Sequence, residues 1–593
     1  MTASNTLADL ATKTRYNRIL LLVAGLGGLL YGVDVGIIAG ALPYLEATSG
    51  LSGNQLSVIV AAVLLGSVIS TLFAGMLADW MGRKKMMFLS GILFVASIPM
   101  IALAHGYGPL VLGRLLQGIS AGLIGVVVPL YLAECLDASN RGKGTGMFQW
   151  LLTLGIVAAA VIGYYFSLQV AGIEKLHDAA KLFAFKDSAW RYIFWVSLPP
   201  GILFVIGSLY VAESARWLFR KGKSDAARTA LLRSRTDEQA DIELKEMAET
   251  IAAEKAKTSS TGAQVKESLL SRRYVIPFVM ACVILACNQA TGVNSIIGYN
   301  ATILIQAGLS DANAHLGYVI LTLVNFLVTM IGVALVDKKG RKFLLSIGSA
   351  GIIVSLIATG LVFNQTEKHR VDVKDAVQAL VISSNQTATV DFNSDTAAKM
   401  LAGKGSSQPS TLVIIYSYGD FHAASKVVRS DDVAAQLEIN RGSCLPPNKV
   451  AAFFQNPFAD LEKSKAAPLV IDNALITPVP AQSTGWLTAI CIFCFMAFFA
   501  VGPGVCVWLA LSELMPTRIR SNGMSVALLI NQAVSTTIAA VFLPSVGKHG
   551  YATMFFIFAG CTVVYFITAA FFLPETKGKT LEEIEEHFEG KKH

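Results

Sequence analysis

Long apolar blocks alternate with polar connections along this chain. The blocks cover residues 18–42, 56–78, 86–105, 109–133, 147–169, 191–212, 274–306, 316–336, 343–363, 484–511, 522–546 and 551–573. Each reaches the ~20 residues that a helix needs to cross a bilayer core. Their Leu, Ile, Val, Phe and Ala run on without the period-two alternation of a membrane barrel, so the pattern predicts twelve transmembrane helices. Two connections are long. Residues 213–272, rich in Ala, Glu, Lys and Arg, read as amphipathic helices. Residues 364–483 mix charges with β-branched stretches such as TLVIIYSY and with the turn formers SSQPS and CLPPNK, which predicts a small β-containing domain. The resulting division is a tail over 1–17, six helices over 18–212, a helical linker over 213–272, three helices over 273–363, an insertion over 364–483, three helices over 484–573 and a tail over 574–593.

Composition narrows the class. With 54% hydrophobic and 15% charged residues, the chain holds more apolar surface than one soluble core would use, which excludes a soluble enzyme, a nucleic-acid binder and a secreted scaffold. The net charge of +8 falls largely in connections on one side. Arg83, Lys84 and Lys85, then Arg141 and Lys143, Arg216 and Arg220, Lys338 to Lys342, and Arg518 and Arg520 all follow even-numbered spans. By the positive-inside rule both termini are cytoplasmic, the insertion is extracytoplasmic, and the chain is a multi-pass protein of the cell membrane. The polar start MTASNTLADLATKTRYNR is not a cleavable signal peptide. Of the eight cysteines only Cys444 lies far from an apolar block, so no disulfide framework is expected.

The chain repeats itself. Asp79-Trp-Met-Gly82-Arg83-Lys84 recurs as Asp337-Lys-Lys-Gly340-Arg341-Lys342, 258 residues later (79 to 337). Glu134, followed by Arg141, recurs as Glu513, followed by Arg520, 379 residues later (134 to 513). The two offsets differ by 121 residues, close to the length of the insertion. Two homologous six-helix halves follow, the second interrupted, and parallel repeats of this kind build one large class of transporters with a substrate site between the halves.

The motifs GMLADWMGRKK (75–85), GRLLQGISAG (113–122), PLYLAE (129–134) with Arg141, ESARWL (213–218), NQATGVN (288–294), VDKKGRK (336–342), GPGVCVW (502–508) with Glu513, and PETKGKTLEEI (574–584) stand in order along nearly the whole chain outside the insertion. In these the chain resembles the sugar porter family of the major facilitator superfamily, transporters of monosaccharides and polyols. It departs from the family where PESPR becomes Ala212-Glu213-Ser214-Ala215-Arg216 and where the paired glutamines opening the seventh-span motif become Asn288-Gln289. The insertion between spans nine and ten resembles, in placement, that of animal proton-coupled myo-inositol transporters. Asn364-Gln-Thr and Asn385-Gln-Thr are glycosylation sequons at its edge and interior.

The resemblance implies residue roles that chemistry supports. A sugar presents hydroxyls and small apolar patches, so its site needs neutral amides and an aromatic face. Gln149 in span five, Asn288, Gln289 and Asn294 in span seven, Asn325 in span eight and Asn531 in span eleven are such amides, and Phe499 and Trp508 in span ten are such faces. Asn and Gln in spans also join helices to one another. Residues 289 and 294 stand about 140° apart on a regular helix, so facing one ligand requires a bend, expected at Thr291-Gly292. Gly502-Pro503-Gly504 is expected to act as a gating hinge. Asp79 with Arg83, Glu134 with Arg141, Glu213 with Arg216, Asp337 with Arg341 and Glu513 with Arg520 are expected to pair as cytoplasmic latches, rather than ligands, when the halves close on that side.

Asp34, in GLLYGVDVGIIAG, is a carboxylate in mid-span and therefore a functional candidate, with Arg114 of span four as its partner. The family's proton-coupled members carry an acid here, which implies proton symport. A facilitative uniporter of the same fold and a sugar-sensing receptor that does not transport are the alternatives. No nucleophile–base constellation or metal-ligand cluster stands out, so no enzyme, cofactor or metal is expected. The expected partners are a sugar or polyol, a proton and the bilayer, with no nucleic acid and a monomeric chain.

Overall fold

Inside a bilayer every backbone amide must find its partner within its own segment, so apolar blocks of this length become helices. A computed structural model of the chain describes residues 3–136, 141–260, 272–401, 409–431, 436–446, 449, 452, 456, 458–506, 514–515, 520–576 and 588. The first five spans are Ala3–Thr48, Gly53–Met81, Arg83–Ala102, Tyr107–Cys135 and Arg141–Glu174. The sixth comes in two pieces, Ala179–Trp195 and Leu198–Tyr210, and the seventh in three, Arg272–Ala290, Val293–Gly298 and Asn300–Gln306. The eighth, ninth and tenth are Asp311–Lys339, Arg341–Glu367 and Gln482–Val501. The helix Arg520–Ile567 is interrupted at Gly550 (φ +88°), which divides it into the eleventh and twelfth spans. The helices outrun the apolar blocks that announce them; the first is already helical at Ala3, inside the stretch read as a polar tail.

Small residues let the helices approach. Gly28, Gly32, Gly36 and Gly40 fall four apart and face the fifth span, where a Cβ on Gly28 or Gly32 would collide with the carbonyls of Phe148 and Leu152. Close packing through small residues is what drives association where water offers no hydrophobic push. The halves meet along the second and eleventh spans and along the fifth and eighth, where Trp150 and Phe326 lie 5.9 Å apart. At the end of the bundle that carries the insertion, the Tyr318 hydroxyl donates to the Gly36 carbonyl at 3.0 Å and Tyr44 donates to Asp311 at 2.7 Å. The halves are thus closed on one another at that end.

At the opposite end, which carries the termini, the repeat is visible in the geometry. Gly82 (φ +99°) and Gly340 (φ +88°) start the third and ninth spans. The carboxylate of Glu213 accepts from the backbone N–H of Arg83 at 2.9 Å and Lys84 at 3.1 Å. Glu575 accepts from Arg341 at 3.0 Å and Lys342 at 3.2 Å. Each carboxylate satisfies amides that a helix start leaves open and complements the helix dipole. Between the halves run the helices Ala215–Arg220, Ser224–Leu232 and Asp237–Ser260, tied together by Arg228 to Asp241 at 2.9 Å and by Arg235 to Glu243 at 2.6 Å.

The insertion carries an antiparallel sheet in the order β1 (Val371–Asp372), β7 (Leu469–Pro478), β3 (Ser410–Tyr418), β4 (Phe421–Ala424), with β5 (Val428–Arg429) also on β3. A second pair joins β2 (Ala388–Asp391) to β6 (Gln436–Ile439). The string TLVIIYSY lies in β3, and Ile414, Tyr416, Val390 and Ile471 belong to a core separate from that of the bundle. The insertion touches both halves. Asn54 donates to the His422 carbonyl at 3.3 Å and Gln55 to that of Gly442 at 3.3 Å, while Arg429 donates to the Ile305 carbonyl at 3.5 Å.

Candidate substrate and proton sites

The seventh span breaks where the sequence asks it to. Thr291 and Gly292 donate back to the carbonyls of Cys287 and Gln289, each at 3.0 Å, and Ile296 then starts a new turn on the Gly292 carbonyl at 2.8 Å. Gly292 has φ +81°, a left-handed conformation costly for any residue with a Cβ. A Cβ there would also run into the Phe558 ring. The break lets residues from different faces of a regular helix meet: Asn294 Nδ2 donates to Gln289 Oε1 at 2.9 Å. The same nitrogen donates to Ser535 Oγ of the eleventh span at 2.7 Å. Asn531, one turn before Ser535, is 1% exposed and Asn288 is 3% exposed. The Oδ1 of each has no hydrogen-bond donor among the described residues. Such a buried acceptor costs about 1–3 kcal/mol, and a hydroxyl-bearing ligand is a partner that would supply the missing donor.

The other expected amides stand apart from this cluster. Gln149 is exposed on the fifth span. Asn325 is half-buried on the eighth, with its carbonyl accepting from Thr329 Oγ1 at 2.7 Å. Phe499 stacks on Phe495 with centroids 6.2 Å apart. The tenth-span helix stops at Gly502, where a Cβ would meet the Leu344 carbonyl, and residues 503–506 resume helical geometry. Trp508 lies outside the described residues.

Asp34 and Arg114 face one another in the first half. Their nearest atoms, Oδ1 and Nη1, are 3.7 Å apart, with both side chains at most 2% exposed. Arg114 Nη1 donates instead to Gln117 Oε1 at 2.6 Å, and its guanidinium lies over the Phe194 ring at 5.6 Å. Neither oxygen of Asp34 accepts a hydrogen bond among the described residues. The pair is therefore a loose contact between desolvated charges, without the bidentate fork that makes an Arg–carboxylate pair strong. Gln117, inside GRLLQGISAG, went unnoticed in the sequence; its spacing of one helical turn from Arg114 is the signal that would have found it.

The charges at the terminal end pair within one half. Arg83, 2% exposed, reaches Asp79 at 2.8 Å and Glu134 at 2.8 Å, and the Ser214 hydroxyl also donates to Glu134. Two expected pairings take another form. Glu213 binds the backbone amides of Arg83, Lys84 and Ser214 rather than Arg216, because Ser214 caps the short helix that follows and turns Arg216 to the exposed face. Glu134 binds Arg83, while the side chain of Arg141 lies outside the described residues. The side chains of Asp337 and Arg520, and all of Glu513, also lie outside them. Arg341 is half-buried, with Nη1 donating to the Val336 carbonyl at 3.3 Å. Glu575, in the PETKGK motif, joins this set on its geometry.

Comparison with known proteins gives a consistent result. The family model described as "Sugar (and other) transporter" matches residues 20–383 and 467–588, leaving most of the insertion between the two matched segments. The chain is 26% identical over 571 residues to the glucose transporter GlcP of Staphylococcus epidermidis, covering 96% of this chain and 97% of that protein. It is 27% identical over 583 residues to the human proton myo-inositol cotransporter, covering 97% and 82%. It is 25% identical over 565 residues to the galactose-proton symporter of Escherichia coli, covering 95% and 92%. Among solved structures, the xylose transporter XylE of E. coli in a partially occluded inward-open conformation superposes with a TM-score of 0.63 at 20% identity. That match covers 95% of this chain and all of XylE, a likeness of fold.

Proposed function

The chain belongs to the sugar porter family of the major facilitator superfamily, a family of transporters and not of enzymes, and on that premise we propose that it imports a monosaccharide or cyclic polyol by alternating access with proton symport. The observation that carries the substrate arm is the Gln289–Asn294–Ser535 network across the Gly292 break, with the unpaired oxygens of Asn288 and Asn531 beside it in sequence. Neutral amides suit hydroxyls and would desolvate at lower cost than charges. In this reading Gln149, Asn325, Phe499 and Trp508 complete the site when the halves close around the ligand, and Gly502-Pro503-Gly504 flexes in that closure.

The proton arm rests on Asp34. A carboxylate this buried needs either a counter-charge or a proton. Protonation would release Arg114 to Gln117, which it already holds at 2.6 Å, and free the halves to rock. Deprotonation toward the cytoplasm would restore the pair. The same reading places the protein in the cell membrane with both termini and the Asp79, Arg83, Glu134, Glu213 cluster in the cytoplasm, as the distribution of Lys and Arg favours. Two of the relatives are named for coupling a proton to inositol or galactose. The test is uptake into proteoliposomes across hexoses, pentoses and inositol, with and without a pH gradient. Concentrative uptake of one of them with proton entry supports the proposal; uptake with no proton movement leaves a uniporter.

A further inference from the structure

At the insertion end the halves meet through side chains for which the transport reading has no role. Tyr44 of the first span donates to Asp311 Oδ2 of the eighth at 2.7 Å. His315, one turn beyond Asp311, is wholly buried and lies flat against Tyr44, centroids 5.5 Å apart and planes within 3° of parallel. Its Nδ1 stands 2.9 Å from the carbonyl oxygen of Asp311 and 3.4 Å from its Oδ1. Its Nε2 stands 3.2 Å from the carbonyl oxygen of Gly40, in the other half. Both ring nitrogens thus face oxygens that bear lone pairs and no hydrogen. A neutral imidazole has one N–H and one lone pair, so in either tautomer one nitrogen would set lone pair against lone pair. Only the imidazolium donates on both sides, and it also gives the largely buried Asp311 a counter-charge.

We propose that His315 is a proton-binding site that fastens the two halves together at the insertion end. The proton is held while that end is closed, and its loss sets a ring lone pair against the carbonyl oxygen of Gly40 or of Asp311 and lets the end open. The titratable groups around the pair include Glu46 of the first span, which feels Lys426 of the insertion, and His177 and Asp178 ahead of the sixth span. Lys186 of the sixth span and Glu174 of the fifth face each other at 3.7 Å, and Arg429 and Asp431 of the insertion pair at 2.8 Å. All four line the same cavity as Tyr44 and Asp311. Because the closed contact requires the proton, it is complete at low pH and is lost as pH rises, by up to about tenfold in the closed-to-open ratio per pH unit for one proton.

The inference goes beyond the proton route through Asp34 and needs no sugar. It is tested in the Asp34→Asn background, which removes the other proposed titrating group, with the full chain in lipid nanodiscs. Electron-spin distances are measured between labels at the exposed positions Leu176 and Lys548, one in each half, from pH 6 to pH 9. The long-distance population should grow with pH, and ¹⁵N spectra of histidine-labelled protein should lose one imidazolium signal over the same range. His315→Gln should abolish both changes. Asp311→Asn, which keeps the ring, should move them to lower pH. A distance distribution indifferent to pH, a pH response that His315→Gln retains in full, or a neutral His315 ring in the closed state would overturn the proposal.

Discussion

Gly32-Val33-Asp34 in the first span and Gly292-Val293-Asn294 in the seventh stand 260 residues apart (32 to 292), within two residues of the 258-residue repeat, yet the halves use them in opposite ways. In the first, the glycine stays helical and lets the fifth span's backbone approach, and the polar residue is a carboxylate 3.7 Å from an arginine. In the second, the glycine turns left-handed, the helix breaks, and the polar residue is an amide bonded to Gln289 and Ser535. A duplicated unit has thus come to hold charge in one copy and neutral hydrogen-bonding groups in the other. The lesson is that a glycine's neighbours, not its place in a motif, decide whether it serves as a close contact or as a joint.

Exchanging the two polar residues tests that division most severely. Asp34→Asn should abolish pH-driven accumulation of sugar while leaving binding and exchange of sugar for sugar, as read by counterflow in proteoliposomes; a mutant that still concentrates sugar would sink the proton arm. Asn294→Asp should weaken sugar binding without adding a coupled proton, measured by equilibrium binding and by proton flux in the same vesicles.

The two glycines should fail differently. Gly32→Ala should lower stability by roughly 1–3 kcal/mol through overpacking against Leu152, seen as a lower melting temperature in detergent. Gly292→Ala should combine a similar clash at Phe558 with the strain of a positive φ, about 1–3 kcal/mol more, and should also cost sugar binding. Equal binding in both variants would remove the distinction between contact and joint.

Within the amide half, Gln289→Ala, Asn294→Ala, Gln149→Ala and removal of the Trp508 ring should each weaken sugar affinity. For the amides about 1–3 kcal/mol is expected, or about 5- to 150-fold, because a sugar hydroxyl is left unpaired. If all four bind like wild type, the site is elsewhere. Ser535→Ala should cost less, about 0.5–1.5 kcal/mol, because it removes one neutral hydrogen bond. The smallest effect belongs to the insertion. Its replacement by a short linker should leave transport measurable, since the family match resumes on its far side. Burial pushes the Cys444 thiol up to about 12, so a maleimide at neutral pH should modify it only once the insertion unfolds.

The twelve spans, the repeat and the bend at Gly292 were legible because each rests on a local or periodic signal: block length, an identical string, or a helical angle that two residues could not share. The β strands of the insertion announced themselves in TLVIIYSY for the same reason. The contacts of Ser535 and His315 were not legible. A serine or histidine within an apolar helix carries no pattern of its own, and each gains meaning only when another span comes within 3.5 Å, as Asn294 does for Ser535 and Gly40 for His315. Charge sign suggested a salt bridge of Glu213 with Arg216 on closure of the cytoplasmic end; in this structure Glu213 takes the donors of an open helix start.

The insertion is threaded through the second half but leans on the first. Glu367, at its entry, accepts from the backbone N–H of Tyr551 at 2.7 Å and of Ala552 at 3.3 Å, so its root is clamped to the half that encodes it. On the first half it is held by longer bonds, with Asn54 and Gln55 donating at 3.3 Å and Glu46 accepting from Val427 at 3.4 Å, and by the attraction of Glu46 for Lys426. Rooted in one half and resting on the other, it should change its distance to the first half whenever the halves move apart, like the needle of a gauge. A fluorophore on the insertion and another on the loop before Asn54 would give a readout of each turnover from outside the membrane, without a single probe placed in the path of the sugar.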